Sequence, residues 1–354
     1  MDPLVLIPGL TSAIALLMAV LLIDQWRVRR RTYQLVWAAG MLFFGIASGT
    51  EAVAAGGGWT ETLYRAWYLT GALWTAGWLG LGTAFLLART RFGYTFAMCL
   101  ALAGLFTLLA QRRFQYEGAG AAPVLYLITA IVIAVAVAVE TYFSNEHWPR
   151  IAAIGVGGAT VLSIVLMTQV ELAAPGYALD PETGMPVGDL FPGAIRLLAP
   201  FMNITGGLAL AFGALFSAYM FMPKRRVLTY SLDPTQSGDQ MLFNLLIAPV
   251  AIAVNFVASL PGAVRAFFRG ELPSRVPATL LIAIGGFTAS GTDALNRFGS
   301  TELFQAGKLA AAVLLFAGLL VSIEVFSEFR IPFTARRLGR PRRESSPGPE
   351  AGRP

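Results

Sequence analysis

Apolar runs of about 20 residues recur along almost the whole chain, and this is the length that a helix needs to cross a bilayer. Only 13% of the 354 residues are charged, whereas the share in a soluble domain is about a quarter. The alternating pattern of an outer-membrane barrel, in segments of about ten residues, is absent. The sequence therefore predicts an all-α polytopic membrane protein. Its nine predicted spans are 3–23, 33–55, 62–87, 94–110, 122–143, 151–170, 195–222, 277–296 and 302–327.

A tenth apolar run, 241–260, is ambiguous, and the distribution of positive charge decides how we interpret it. Lys and Arg collect on the cytoplasmic side of membrane proteins. If the N-terminus lies outside and 241–260 does not cross, 20 of the 26 cationic residues fall on the cytoplasmic side. We therefore predict that 241–270 is re-entrant or interfacial, and Pro249 and Pro261 fit a broken element. A tenth crossing helix stays the alternative, because about 20 apolar residues suffice to span.

The C-terminal segment 335–354 is rich in Pro, Gly, Ser and Arg, which predicts a disordered basic tail on the cytoplasmic side. Basic residues beside a membrane attract anionic lipid head groups. The expected partners are the bilayer, with anionic lipids at the basic inner face, a small-molecule or ion ligand, and a further membrane protein. No nucleic-acid partner is expected. The predicted location is the plasma (inner) membrane.

The tetrapeptide ASGT occurs twice, at 47–50 and 289–292, and an acidic residue follows each copy. A second apolar run comes after each copy, and it is preceded by the similar segments ETLY and ELF. This similarity predicts that one two-helix unit was used more than once, as the hairpins 33–88 and 277–328. The charge distribution orients both hairpins in the same way. They are therefore expected to be parallel copies, unlike the inverted repeats of many secondary transporters.

Charged residues near the outer ends of the hairpins form the candidate site, because a charge in a membrane is costly without a partner or a function. In the structural interpretation, an acid and a base tie the two helix ends of each hairpin together. In the functional interpretation, the helices converge and the charges line an outward vestibule for a small polar or charged ligand. The candidates are Glu51 and Arg65 in the first hairpin, Glu171 and Arg196 in a middle hairpin formed by the spans 151–170 and 195–222, and Asp293 and Lys308 in the last.

Aromatic residues cluster in the third span, where Trp67, Trp74 and Trp78 have a spacing that predicts one shared helix face. Helix packing or an interfacial belt is the favoured explanation, and a ligand-stacking cage is the alternative. Small residues allow close approach of helix backbones. Glycines of the third and seventh spans therefore predict helix packing: Gly71, Gly77, Gly80, Gly82, Gly206, Gly207 and Gly213.

Enzymatic sites are disfavoured by the residue types that the chain lacks. His147 is its one histidine and Cys99 its one cysteine, so bis-histidine haem, HExxH zinc, thiolate metal and disulfide chemistry lack their residues. A GxxxxGK[ST] nucleotide loop is absent. Lys308 could carry a Schiff base to a retinal-like chromophore, with Asp293 or Glu51 as counter-ion. The aromatic pocket of microbial rhodopsins is not recognisable, however. The sequence predicts no catalytic residue, no cofactor and no metal.

Residues 60–87, TETLYRAWYLTGALWTAGWLGLGTAFLL, follow the segment WAAGMLFFGIASGTEA. Together they resemble a family of uncharacterised bacterial multi-pass membrane proteins that have a similar helix with LYR, WYL and WLGLGT. The likeness covers about residues 33 to 110. It implies residence in a bacterial plasma membrane and assigns no functional residue. The order of the first seven spans is also similar to the membrane part of seven-helix sensor histidine kinases, although the chain lacks a kinase core.

These patterns favour a transporter-like or channel-like protein that handles a small polar molecule or ion at an outward vestibule. The alternative is a receptor or scaffold subunit of a larger membrane complex, without transport or catalytic activity.

Overall fold

The computed structural model describes residues 2–144, 146–172, 178–179, 186–187, 190–230, 238–297, 302–322, 329–330 and 337–338. Short strands pair antiparallel, β1 (Ala178–Leu179) with β2 (Pro186–Val187) and β3 (Phe329–Arg330) with β4 (Arg337–Leu338). The predicted basic tail, 335–354, lies outside the described residues apart from β4. The helices are α1 Pro3–Arg29, α2 Thr32–Gly57, α3 Glu61–Trp67, a π-helical segment Tyr68–Trp74, α4 Thr75–Leu86, α5 Phe92–Phe114, α6 Ala122–Phe143, α7 Trp148–Gln169, α8 Gly193–Phe221, α9 Gly238–Phe268, α10 Arg275–Arg297 and α11 Glu302–Ser322.

Nine helices in the described part of the chain are long and apolar enough to cross a membrane. This confirms an all-α polytopic membrane protein. One of the nine is the continuous span Glu61–Leu86, formed by α3, the π-helical segment and α4. The set differs from the predicted one, because Val250–Phe268 of α9 belongs to it and α10 does not. At 23 residues, about 34 Å, α10 is long enough. Its Gly, Ser, Thr and Asp residues make it less apolar.

α8 is the central helix of the bundle. α4, α5 and α10 all pack on it, while α1 packs on α2 and α11. α4 crosses α8 where Gly80 meets Gly206, and a Cβ atom added to Gly80 would lie 2.5 Å from the Gly206 carbonyl oxygen. This approach confirms that glycines of the two spans mediate helix packing. A further consequence of the arrangement is that the first and last long helices are neighbours.

α9 is one continuous helix of 31 residues, so Pro249 and Pro261 do not break it. Polar residues in its middle bind the segment that follows α8. The side-chain oxygen of Asn255 accepts hydrogen bonds from two backbone N–H groups of that segment, at 2.7 and 2.9 Å. The Ser259 hydroxyl accepts a third, from the N–H of Arg225, at 2.8 Å. The re-entrant or interfacial placement of 241–270 stays a prediction.

Candidate functional site

Glu51 on α2 is a buried carboxylate, with 3% of its side chain exposed. Trp67 Nε1 donates a hydrogen bond to its Oε1 atom at 2.7 Å. Gln305 Nε2 donates to its Oε2 atom at 2.9 Å. Lys308 Nζ donates to the same oxygen and forms an ion pair, with its own side chain 12% exposed. We call Glu51 and Lys308 the buried ion pair, and these four residues the Glu51 cluster.

The Glu51 cluster joins three helices at one depth in the bundle. Glu51 lies six residues before the end of α2 at Gly57. Trp67 lies six residues after the start of α3 at Glu61. Lys308 likewise lies six residues after the start of α11 at Glu302. At 1.5 Å per residue, each is about 9 Å inside its helix end. The buried ion pair is therefore within the helical bundle and not in a connecting loop.

The sequence of α11 explains why two donors reach one carboxylate. Gln305 and Lys308 are three residues apart, so they lie on the same face of the helix. The Lys308 ammonium also lies 4.9 Å from the ring centroid of Phe304, in a cation–π contact. The positive charge thus has an aromatic partner in addition to Glu51.

The π-helical segment begins directly after Trp67 and contains wider turns than the α-helices on either side. Threonine side chains donate hydrogen bonds to one carbonyl just before this segment and to one within it. Thr70 Oγ1 donates to the Ala66 carbonyl and Thr75 Oγ1 donates to the Thr70 carbonyl, both at 2.7 Å. A π turn holds one residue more than an α turn, which rotates the following helix by about 100°. The segment therefore changes which side chains face which neighbour.

All three tryptophans of this span contact α2. Trp67 does so through Glu51, and the rings of Trp74 and Trp78 pack against Phe43, with centroids 5.0 and 5.7 Å apart. Trp74 Nε1 and Trp78 Nε1 also donate to two hydroxyls of α7, at 2.8 and 3.2 Å. The shared contact with α2 fits helix packing, the favoured explanation, and the single face stays a prediction.

Ser48 adds a polar group one turn deeper than Glu51 on the same face of α2. It is fully buried, and its hydroxyl makes no hydrogen bond with any residue that the structure describes. A buried hydroxyl normally has a partner, because leaving it unpaired costs about 1–3 kcal/mol. Ser48 is thus a hydrogen-bonding group available to a molecule that reaches the Glu51 cluster.

Arg65 does not pair with Glu51, which corrects the structural interpretation of the first hairpin. Its guanidinium bonds to Glu61, with Nε donating to the carboxylate at 2.8 Å. It also donates to the carbonyls of Met167 and Val170 at the end of α7, at 2.5 and 2.6 Å. These carbonyls carry the negative end of the α7 dipole. Arg65 therefore joins α3 to the end of α7.

The remaining candidates are not brought into the Glu51 cluster by any contact of the described residues. Glu171 is exposed just after the end of α7. Arg196 lies in the first turn of α8, and its guanidinium carbon is 4.2 Å from the ring centroid of Tyr116. Asp293 belongs to α10, but its side chain lies outside the described residues. Of the six predicted charges, the structure joins Glu51 and Lys308 directly.

Sequence reasoning missed Trp67 and Gln305 as partners of Glu51. Gln305 carried a usable signal, since an amide three residues before a lysine in an apolar helix indicates a polar face. Trp67 carried none, because its direction depends on the π-helical segment that follows it.

Among the described residues, no group of three or more His, Cys, Asp or Glu side chains could hold a metal ion. No protein-family model, curated protein or solved structure matches the chain. The candidate site is therefore defined by the geometry of the Glu51 cluster.

Proposed function

We propose that this integral membrane protein transports a small polar molecule or an ion, and that the buried ion pair is its binding site. The observation that supports the proposal is a carboxylate and an ammonium, 3% and 12% exposed, inside a bundle of apolar helices. Ionisable residues within membrane spans are rare, and they mark ion and substrate pathways. A purely structural tie between helices needs no charge, since apolar residues of similar volume often serve as well.

The contacts of each partner make the buried ion pair exchangeable. When Lys308 moves away, Glu51 keeps its hydrogen bonds from Trp67 and Gln305. Lys308 in turn keeps its cation–π contact with Phe304. An anionic group can therefore replace Glu51 at Lys308, and a cation can replace Lys308 at Glu51. The free hydroxyl of Ser48 offers a further contact at the same site.

The π-helical segment supports the same proposal. π segments within α-helices occur frequently at functional sites and accompany kinks. This segment begins at the residue after Trp67. A change between π and α geometry would therefore rotate the helix that follows Trp67 relative to Trp67 and Glu51. Such a change provides a way to open and close access to Glu51.

The test is ion flux through the purified full chain in proteoliposomes, measured with trapped dyes sensitive to H⁺, Na⁺, K⁺ or Cl⁻. We expect at least one ion to cross faster than in protein-free liposomes. Glu51→Gln and Lys308→Met should each lower that flux at least tenfold, because each removes one charge of the pair. A tenfold change corresponds to about 1.4 kcal/mol.

Glu171→Gln is the matched control, because it removes an exposed acid outside the Glu51 cluster. Its flux should equal that of the unmodified protein. The proposal is wrong if both site variants fold and retain full flux. If none of the four ions crosses, transport of these ions is refuted. A stable membrane partner recovered in mild detergent would in that case favour a scaffold or receptor subunit.

We also propose that the protein resides in a bacterial plasma membrane, with its N-terminus outside and its C-terminus in the cytoplasm. The charge distribution supports this orientation. Single cysteines introduced in a Cys99→Ala background test it on intact cells with an impermeant thiol reagent. Cysteines within 233–239 should be protected and cysteines within 297–301 should be labelled. The reverse pattern contradicts the orientation.

A further inference from the structure

A cavity of about 330 Å³ lies at the other end of the bundle from the Glu51 cluster. Tyr33, near the start of α2, and Ser322, at the end of α11, both line it, whereas Glu51 and Lys308 lie near the opposite ends of the same helices. The volume is at the lower end of the range for small-molecule pockets. The cavity is therefore separate from the proposed transport site.

The inner part of this cavity is apolar and buried. Met41, Leu79, Leu210 and Leu315 line it, and each is 6% exposed or less. An anion that enters this part loses the hydrogen bonds of its hydrating water, and the apolar side chains offer none in return. A hydrocarbon chain gains free energy there, because burial removes its apolar surface from water. The inner part thus suits an acyl chain.

The outer part of the same cavity is basic. Arg29 lies in the last turn of α1 and Arg275 begins α10, and both are exposed. Neither forms an ion pair with another described residue. Arg275 instead lies over the Phe221 ring, with its guanidinium carbon 4.9 Å from the centroid. None of the described residues that line the cavity is acidic. The cavity therefore combines an apolar interior with two available guanidinium groups.

We propose that this cavity binds an anionic membrane phospholipid, with an acyl chain inside and the phosphodiester between Arg29 and Arg275. Guanidinium groups recognise phosphate oxygens through paired hydrogen bonds. Met220 and Phe221 form part of the wall and are 46% and 42% exposed, so the cavity opens on the apolar surface from which a lipid enters. This inference is independent of the transport proposal.

The experiment is native mass spectrometry of the purified full chain, titrated with phosphatidylglycerol or phosphatidylcholine of matched acyl chains. We expect phosphatidylglycerol to bind at least tenfold more tightly. The Arg29→Gln and Arg275→Gln double variant should lose about thirtyfold in affinity for phosphatidylglycerol, from the attraction of about two basic residues. Phosphatidylcholine has the same phosphodiester but its choline cation offsets the charge, so its affinity should fall less, by about threefold.

Arg150→Gln with Arg269→Gln is the matched control, because it removes two exposed arginines that do not line the cavity. An equal loss in this control would overturn the proposal, since general surface charge would then explain binding. Equal affinity of the unmodified protein for the two lipids would also overturn it, and this comparison needs no variant. Displacement of bound lipid by inorganic phosphate alone, at equal concentration, would show that the acyl chain contributes nothing and would overturn the assigned occupant.

Discussion

Lys308→Met isolates the energetic role of the buried ion pair. It leaves the Glu51 carboxylate buried without its counter-ion, and removal of one partner of a buried pair costs about 3–5 kcal/mol. Glu51 keeps its hydrogen bonds from Trp67 and Gln305. We therefore expect a loss in the free energy of unfolding of about 3 kcal/mol, at the low end of that range.

Glu51→Gln should cost less, about 2 kcal/mol, because the remaining ammonium keeps its cation–π contact. The double variant leaves no unpaired charge, since the amide oxygen of Gln can accept from Trp67, its NH2 group can donate to the side-chain oxygen of a turned Gln305, and Met is apolar. Its loss should be about 2 kcal/mol, below that of Lys308→Met alone, and not the sum of about 5 kcal/mol. The coupling energy is then about 3 kcal/mol. Neutral hydrogen bonds between membrane helices reach at most about 1.7 kcal/mol.

The assay is unfolding of the purified chain in mixed micelles of dodecyl maltoside and increasing dodecyl sulfate, followed by circular dichroism. Glu61→Gln with Arg65→Gln is the control cycle, because this ion pair is 53% and 23% exposed and i,i+4 on one helix. Its coupling should be about 0.3–0.5 kcal/mol. The coupling energy would be below about 0.5 kcal/mol if the losses in free energy of unfolding of the two single variants simply added up in the double variant. That result would refute the claim that Glu51 and Lys308 stabilise each other.

Three further substitutions test the packing of the bundle. Gly80→Ala should lower the free energy of unfolding by about 1–3 kcal/mol, because its Cβ atom meets the α8 backbone. Gly157→Ala has open space around its Cβ atom and should be neutral or stabilising by up to about 1 kcal/mol in the same unfolding assay. Asn255→Leu leaves two backbone N–H groups of the segment after α8 without their acceptor. Limited trypsin digestion should then cleave at Arg225 at least several times faster, and an unchanged rate would contradict the assigned role of Asn255.

Much of the helical architecture could be predicted, because an apolar run of spanning length has few alternatives to a transmembrane helix. The run 122–143, for example, coincides with α6. The assignments of α9 and α10 were harder. A helix that buries Ser, Thr and Gly residues against its neighbours has the same low mean hydropathy as a helix that does not cross the membrane. Hydropathy alone therefore cannot assign such a helix. Proline positions likewise suggested a break in α9 that tertiary contacts do not require.

The two charges of the candidate site were predictable, but their pairing and the other two members of the Glu51 cluster were not. Glu51 and Lys308 stand out because a charge within an apolar run is visible in any sequence. Their contact joins residues 257 positions apart, and it depends on how α11 packs on α1 and α10. Proximity in sequence instead favoured Arg65 as the partner of Glu51. The π-helical segment is a deviation from the 3.6-residue period, so periodicity reasoning could not place Trp67.

The long separation within the buried ion pair also has a consequence for biosynthesis. Ribosomes add about 5–20 residues per second, so Lys308 is made roughly 13 to 50 s after Glu51, which it follows by 257 residues. During that interval α2 holds a carboxylate whose counter-ion has not been translated. The nascent helix must therefore keep Glu51 near water or stay beside the insertion machinery. Formation of the pair when α11 inserts then joins an early helix of the chain to one made much later.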